Sequence, residues 1–256
     1  MSPSAIRWLV GAGLLVLWEA LPRLGLVPQL FLPPLSETIA VGIKDWRIFA
    51  EALAVTLGEV AVALVFACGG GILAGALVGS LARARAMLLP VFSSLYAVPL
   101  VILYPVFTAW FGIGSESKIA FASVYGFFPT MLGTAAGIQT IDAQLLVTAR
   151  SMGASFTQRM RHVMLPAAIP TVIASLRLGG ALVIVGVVVS EMLTSAAGIG
   201  YLITSYRTVL DSPRVFVGIL LVLLLGMLLD LVMRLLERVA THHPASTPSR
   251  RPSVAV

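Results

Sequence analysis

Long apolar runs separated by short polar connections dominate the pattern of the chain. A membrane-spanning helix needs roughly 20 mostly apolar residues. Six segments reach or approach this length, at residues 6–27, 54–81, 87–111, 119–138, 171–193 and 215–236. The pattern predicts an all-α membrane protein with about six transmembrane helices.

The first apolar segment could also be a cleaved signal peptide, because Arg7 precedes an apolar run at 8–18. No small-residue cleavage site follows closely, since the next residues are Glu19, Ala20, Leu21 and Pro22. We expect an uncleaved first span. It is the weakest of the six, because Glu19 and Arg23 fall near its far end.

The composition supports lipid as part of the solvent. Of the 256 residues, 59% are hydrophobic and 11% are charged, with a mean hydropathy of +1.01, whereas soluble domains are about 25% charged. The net charge of +6 could suggest nucleic acid, but the chain has only two Lys and no basic cluster with interleaved aromatic residues. We therefore expect no nucleic-acid partner.

The distribution of basic residues predicts the orientation. One side of the membrane receives 11 of the 17 Lys and Arg residues, and the cytoplasmic side carries the excess in membrane proteins. Both termini are therefore expected in the cytoplasm. We expect one transmembrane domain over 1–240, a polar outer connection over 30–51, and a disordered cytoplasmic tail over 241–256.

Two features inside the spans suggest close packing and a broken helix. Gly71, Gly75 and Gly79 share one helix face, which favours close approach of a second helix. Pro99 and Pro105 interrupt the third span. Broken helices often line water-filled cavities, so this segment, with Tyr104 and Trp110, either borders a translocation path or packs as an ordinary helix.

The passage LLVTARSMGASFTQRMRHVMLPAAIP, residues 145–170, is unusually polar for this chain. Asp142 is a candidate cap for a first short helix, Gly153 for its left-handed end, and Ser155 with Gln158 for a capping box of a second helix. We expect Pro166 and Pro170 to close the second helix. The apolar stripe Leu145, Ala149 and Met152 and the stripe Phe156, Met160, Val163 and Met164 then need a packing partner, either the protein's own spans or a soluble cytoplasmic protein.

This passage resembles the EAA loop of ABC importer permeases. The segment A-R-S-M-G-A, residues 149–154, contains Gly153, and nine residues separate this Gly from V-M-L-P, residues 163–166. The spacing is similar to the family's pattern, which is E-A-A, three residues, G, nine residues, I, one residue and L-P. Here Val147 stands in place of the Glu, and Val163 in place of the Ile. LWEALPRLGLVPQLFLPPLSE, VPLVILYPVFTAWFGIGSESK and SEMLTSAAGIGYLI each resemble the nitrate/sulfonate/taurine branch of the family.

The resemblance implies a type I ABC importer permease fold in the bacterial inner membrane. It implies a second permease copy, two P-loop ATPase subunits that use ATP, and an external solute-binding protein. The loop 142–170 would couple to the ATPase. The matching positions are Ala149, Arg150, Ser151, Met152, Gly153, Ala154, Ser155, Val163, Leu165 and Pro166.

Several chemistries are not expected in this chain. Neither Lys lies in a G-x-x-x-x-G-K-[ST] context, so we expect no ATPase site, no cofactor and an external energy source. Three His and one Cys offer no credible metal site. A secondary transporter or channel is the alternative class, and a vitamin or its precursor is the alternative to a small anionic solute.

Glu191 is the last candidate, because it ends a long apolar run just before an outer loop. Ionisable residues in such positions are functional candidates by default. It is either an interfacial cap or part of a gate or a contact for the binding protein.

Overall fold

The computed structural model describes residues 2–240, and every regular element in that range is helical. Five of these helices are long and apolar enough to cross a membrane, or six crossings result if one bent pair counts as a span. The tail over 241–256, which the sequence predicts to be disordered, lies outside the described residues. The elements are α1 (Pro3–Arg23), α2 (Leu35–Lys44), α3 (Trp46–Ser80), α4 (Ala82–Ala97), a 3-10 turn (Leu100–Leu103), α5 (Tyr104–Phe111), α6 (Ser115–Gln139), α7 (Ala143–Ser151), α8 (Phe156–Arg159), a π-helical turn (Met160–Met164), α9 (Leu165–Leu193), α10 (Ile199–Thr208) and α11 (Ser212–Ala240).

Helix α6 lies at the centre of the bundle and packs along both α3 and α9. Small residues set the distance between these helices. A Cβ atom on Gly75 would lie 2.4 Å from the carbonyl oxygen of Met131, and one on Gly79 would lie 2.9 Å from Cα of Ala135. The predicted glycine face therefore is a helix-packing surface, because backbone approaches backbone where no side chain intervenes.

Two hydrophobic clusters mark the two ends of the bundle. At one end, Phe49, Ile199 and Val217 pack together beside α10. At the other, Ala76, Ile138, Met164 and Ala168 pack beneath the short helices of residues 142–164, which we call the bent element. Following the predicted orientation, we call the α10 end the outer end and the bent-element end the inner end.

The predicted polar connection over 30–51 is wrong in its detail. It contains α2, and α3 starts at Trp46, eight positions before the expected start of the span. Helix α2 packs against α11, and Asp45 at the α2–α3 corner forms an ion pair with Arg214 of α11 at 2.8 Å. These outer contacts hold a peripheral helix that hydrophobicity alone does not reveal.

The third predicted span is broken, as its prolines suggested. The direction of the chain changes by 82° between Ala82–Ala97 and Leu100–Phe111. Pro99 lies at this break, where Val98 is extended as residues before proline prefer. Pro105 does not kink the span, because it occupies the first turn of α5, where the missing N–H has no helical partner to lose.

The expectation that Pro166 and Pro170 close the second short helix is also wrong. The chain continues from α8 through the π-helical turn into α9 without a break. The N–H of Leu165 bonds to the carbonyl of Met160, five residues back. The wider turn relieves the clash that the ring of a proline makes with the preceding turn of a regular α-helix. Helix α8, the π-helical turn and α9 are therefore one continuous helical path, and α7 is separated from it by the bend at Gly153.

Ion pairs near the inner end connect α9 to α11. Arg177 contacts Asp230 at 3.1 Å and Glu237 at 3.0 Å. Asp230 also accepts a hydrogen bond from Arg234, one turn along, at 2.7 Å. All these side chains are at least one-third exposed, so each pair stabilises the contact only modestly.

Candidate functional site

The bent element is built by the local signals that the sequence carries. The side chain of Asp142 accepts a hydrogen bond from the N–H of Gln144 at 2.8 Å and caps α7. Gly153 ends α7 with φ of +74°, a left-handed conformation that favours glycine. Ser155 and Gln158 form both bonds of the capping box that begins α8. The predicted bend is confirmed.

One face of the bent element packs on the inner end of the bundle. Ala149 and Met164 are buried, and Leu146 and Met160 pack against the cluster of Ala76 and Ile138. The predicted stripe is therefore divided: Ala149 is buried against the bundle, whereas Leu145 and Met152 are exposed, and Leu146 packs inward instead. Part of the element thus has its packing partner within this chain.

The other face is exposed and apolar. Met152 is 82% exposed and Val147 is 59% exposed, while Leu145 and Phe156 are also exposed. Gly153, Arg150, Ser151, Ser155 and Pro166 share this exposure, while Ala154, Val163 and Leu165 are half-buried. Most of the predicted loop residues are accessible, and the large apolar side chains exposed among them are of the kind that a docking protein would cover.

A buried polar network occupies the outer end. Oε2 of Glu191 accepts a hydrogen bond from the N–H of Gly200 at 2.7 Å, and Oε1 accepts one from the hydroxyl of Thr56 at 2.8 Å. The same hydroxyl accepts a bond from the N–H of Ile199 at 2.9 Å. Glu191 is 1% exposed. Its carboxylate therefore lies at the N-terminus of α10, where backbone N–H groups and the helix dipole favour negative charge.

A second pair of opposite charges lies buried beside this network. Glu59 of α3 and Lys118 of α6 form an ion pair, and both side chains are 4% exposed. Ser115 donates to Glu59 at 2.8 Å, and Lys118 donates to Ser195 in the α9–α10 connection at 3.2 Å. Four segments, α3, α6, α9 and the connection to α10, are thus joined by charged and hydroxyl groups.

The remaining predicted pathway residues do not converge on one cavity. Tyr104 is buried at 2% exposure, where it packs edge-on against Phe121 at 5.2 Å and its hydroxyl lies 3.4 Å from the carbonyl of Thr194. Trp110 is 72% exposed, and Pro99 and Pro105 are exposed as well. Tyr104 belongs to the outer end, and the other three face away from the bundle.

The sequence interpretation did not identify Thr56, Glu59, Lys118 or Ser195 as site residues. A signal was present, because Glu59 interrupts a strongly apolar segment and Lys118 is one of only two lysines. Isolated charges of opposite sign in two spans are expected to pair. Nothing in the linear pattern indicates that a carboxylate of α9 would meet α10.

The comparisons with known proteins agree with this architecture. A family model described as "Binding-protein-dependent transport system inner membrane component" matches residues 69–241. The putative aliphatic sulfonates transport permease protein SsuC of Bacillus subtilis is 32% identical over 90% of this chain and 84% of its own length. The chain belongs to this family of transport components.

Two further comparisons refine the relation of this permease to others. The taurine transport system permease protein TauC of Escherichia coli is 31% identical over 89% of the permease and 85% of its own length. An inward-facing structure of the MetNI methionine ABC transporter has a TM-score of 0.60, at 20% identity, over 76% of the permease and 95% of that chain. At this identity the structural likeness concerns the fold alone. The type I ABC importer permease fold is confirmed.

The permease is thus a multi-pass membrane subunit of an ATP-driven solute importer, and its relatives are transport components. Such permeases work with an ATPase subunit and a solute-binding protein. The predicted class of protein is confirmed, and the alternative of a secondary transporter or channel is not favoured.

Proposed function

We propose that this permease forms the inner-membrane pathway for a small sulfonated anion such as an alkanesulfonate or taurine. The support is the family match together with the two relatives named above, whose names specify aliphatic sulfonates and taurine. The solute would arrive on an external binding protein at the outer end and leave at the inner end.

The bent element is proposed as the docking site for the ATPase subunit. One observation carries this assignment: the element is anchored in the bundle on one side and leaves four large apolar side chains exposed, Leu145, Val147, Met152 and Phe156. Short helices are marginal alone, so an anchored pair with a free apolar face is suited to receive a partner. ATP would bind to that partner, and this chain would supply no cofactor or ATPase site.

We propose an assembly of two copies of this permease with two ATPase subunits. Almost every side chain of α4 and α5 is at least partly exposed in the part of the chain that the structure describes. Large apolar side chains in and between these helices are among the exposed ones, namely Leu88, Val91, Leu95 and Ile102. A second permease copy packed against this broken span would remove that surface from lipid and would enclose a pathway between the two chains.

The pathway residues remain a proposal. In this assignment Pro99 sets the break of the third span, Tyr104 with Pro105 and Trp110 follow it, and Glu191 fixes the outer helix α10. Labelling single cysteines at positions 99–110 with a membrane-impermeant thiol reagent, in a Cys68→Ala background, tests the assignment. Uniformly unreactive positions would remove this segment from the pathway.

Capture of the ATPase tests the docking surface directly. A photo-crosslinking amino acid at position 152 is expected to capture a P-loop ATPase in cells, while the same group at Ile43, an exposed apolar position at the outer end, should not. Equal capture at both positions, or none at 152, would contradict the proposed site.

Uptake by proteoliposomes that contain the whole importer tests the solute and the energy source. Radiolabelled taurine and an alkanesulfonate should accumulate only with internal ATP, with ion gradients held constant. Accumulation that follows an ion gradient without ATP would instead support a secondary transporter. Binding of a vitamin precursor, and no sulfonate, by the cognate binding protein would overturn the proposed solute.

A further inference from the structure

An apolar groove opens on the outer side of the bundle, away from the bent element and the buried polar network. It has a volume of about 540 Å³ and lies between α3 and α11, which make little direct contact with each other. Helix α2 closes its outer end through Gly42 and Ile43. Leu53 of α3 and Leu221 and Leu224 of α11 line the part that runs toward the membrane centre.

The dimensions of the groove fit a chain of hydrocarbon. Val217 and Leu224 both line it, and seven residues of α-helix correspond to about 10 Å of length. This length is about a third of a typical hydrocarbon core. Its floor includes Phe49 and Val217, which are buried, while Trp46 and Ile43 stand 59% and 70% exposed at its rim. A narrow, apolar and lipid-facing slot of this kind suits an acyl chain.

Two basic residues adjoin the rim of the groove. Lys44 and Arg47 are exposed at the α2–α3 corner, next in sequence to the lining residues Ile43 and Trp46. The guanidinium of Arg47 lies 5.6 Å from the centre of the Trp46 ring. Neither basic side chain forms an ion pair with the residues that the structure describes.

The acidic side chains nearby leave this charge available. Asp45 sits between the two basic residues in sequence, but its carboxylate is bonded to Arg214 at 2.8 Å and only 15% exposed. Arg214 also pairs with Asp211, so this half-buried group carries one net negative charge against the two positive charges of Lys44 and Arg47. Glu51, one turn from Arg47, is exposed but unbonded to it in the described chain. Trp46 marks the interfacial level at which lipid head groups lie.

From this combination we infer that the groove is a binding site for one anionic phospholipid of the outer leaflet. One acyl chain occupies the slot between α3 and α11, and the head-group phosphate lies between Lys44 and Arg47. The inference rests on the lipid-facing position of the groove, on the two basic residues beside it and on the predicted orientation of the chain. It does not depend on the solute or on the ATPase.

Quenching of tryptophan fluorescence by brominated lipids tests the site. The full-length permease is reconstituted into vesicles that contain dibrominated phosphatidylglycerol or dibrominated phosphatidylcholine at equal mole fraction. The difference between the wild type and Trp46→Phe isolates the signal of Trp46. The anionic lipid is expected to bind at least about fivefold more tightly, since one basic residue near a membrane surface contributes roughly that factor.

Matched variants separate the head-group contacts from general attraction to the membrane. Lys44→Gln with Arg47→Gln should remove the preference for the anionic lipid. Arg207→Gln, which alters an exposed basic residue at the outer end but outside the groove, should preserve it. Ala50→Phe, which places a ring in the slot, should lower the Trp46 quenching by both lipids.

The following results would overturn the inference. Equal quenching by the two lipids would mean that ordinary bilayer lipid covers the surface. No quenching of Trp46 by either lipid would mean that protein, such as a second permease copy, covers the groove. A preference that survives the double Gln variant, or quenching that Ala50→Phe leaves unchanged, would reject the proposed contacts.

Discussion

The carboxylate of Glu191 accepts a hydrogen bond from the backbone N–H of Gly200 at 2.7 Å, so the outer end of α9 caps the first turn of α10. The contact leaves no room for another side chain. A Cβ on Gly200 would lie 2.3 Å from the carbonyl oxygen of Val188, and one on Gly198, where φ is +103°, would lie 2.0 Å from Oε1 of Glu191. Glycine is therefore required at positions 198 and 200, because a larger residue at either would collide with Glu191 or with the backbone beside it.

Replacement of Glu191 is expected to loosen α10 from the bundle. Glu191→Ala leaves the N–H of Gly200 without its acceptor, at about 1–3 kcal/mol for a buried group, and leaves the hydroxyl of Thr56 with only the carbonyl of Ala52, at 3.2 Å, to accept from it. Glu191→Gln should cost less, because an amide oxygen can still accept one bond. The thermal unfolding midpoint in detergent and uptake by proteoliposomes measure the effect.

The control for this prediction is Glu51→Gln, which changes an exposed carboxylate at the same end. It should leave both measurements near the wild type. Normal stability and uptake in Glu191→Ala would show that the carboxylate does not hold α10.

Separation of the Glu59–Lys118 pair is expected to be severe. Lys118→Met leaves a buried carboxylate without its cation, and loss of one partner of a buried pair costs about 3–5 kcal/mol. Expression and the unfolding midpoint should fall together. The double variant Glu59→Leu with Lys118→Met removes both charges and should recover most of the stability. If the double variant is no more stable than Lys118→Met, the loss of stability does not come from leaving Glu59 without its cation.

The glycine face of α3 offers a comparison within one helix. Gly75→Ala places a methyl group against the backbone of Met131, and overpacking of this kind costs about 1–3 kcal/mol. Gly69→Ala adds the same methyl group where no atom lies within 4 Å, so it should be neutral or slightly stabilising. Unfolding midpoints of the two variants should differ by several degrees, and equal midpoints would refute the close packing of α3 on α6.

The bend at Gly153 should control the proposed docking of the ATPase. Its φ of +74° disfavours a β-branched residue, so Gly153→Val is expected to shift the backbone at about 1–3 kcal/mol and to weaken co-purification of the ATPase. Gly153→Asn should be tolerated, because asparagine enters the left-handed region more readily. Membrane insertion of both variants should be normal. Full ATPase recovery and uptake with Gly153→Val would falsify the proposed role of the bend.

The sequence predicts those parts of this fold that local chemistry determines. Asp142, Gly153 and the Ser155–Gln158 box each act within a few residues, and the structure has all of them where the pattern indicated. The long apolar spans are likewise read from composition alone. Helix α2 escaped prediction because its stability comes from contact with α11, which lies far away in sequence.

The outer polar network could be predicted only in outline. Glu59 and Lys118 are conspicuous as isolated charges in apolar surroundings, but their partners depend on how α3 and α6 align. Thr56 and Glu191 are 135 residues apart and meet only through the packing of α3 on α9. The prediction at Pro166 was wrong for a local reason. Proline usually ends or kinks an α-helix, but the π-helical turn just before it lets the helix continue.

That irregular turn, Met160–Met164, has a consequence for angular position. A π-helical turn contains one more residue than the α-helical turn it replaces, and each residue of an α-helix advances the chain by about 100° around the axis. The wide turn absorbs its extra residue locally, because the N–H of Leu165 bonds five residues back where a regular α-helix bonds four back. If the same residues formed a regular α-helix, everything on the N-terminal side would be rotated relative to α9 by about that angle. The azimuth of Met152 about the α9 axis therefore depends on the width of this one turn.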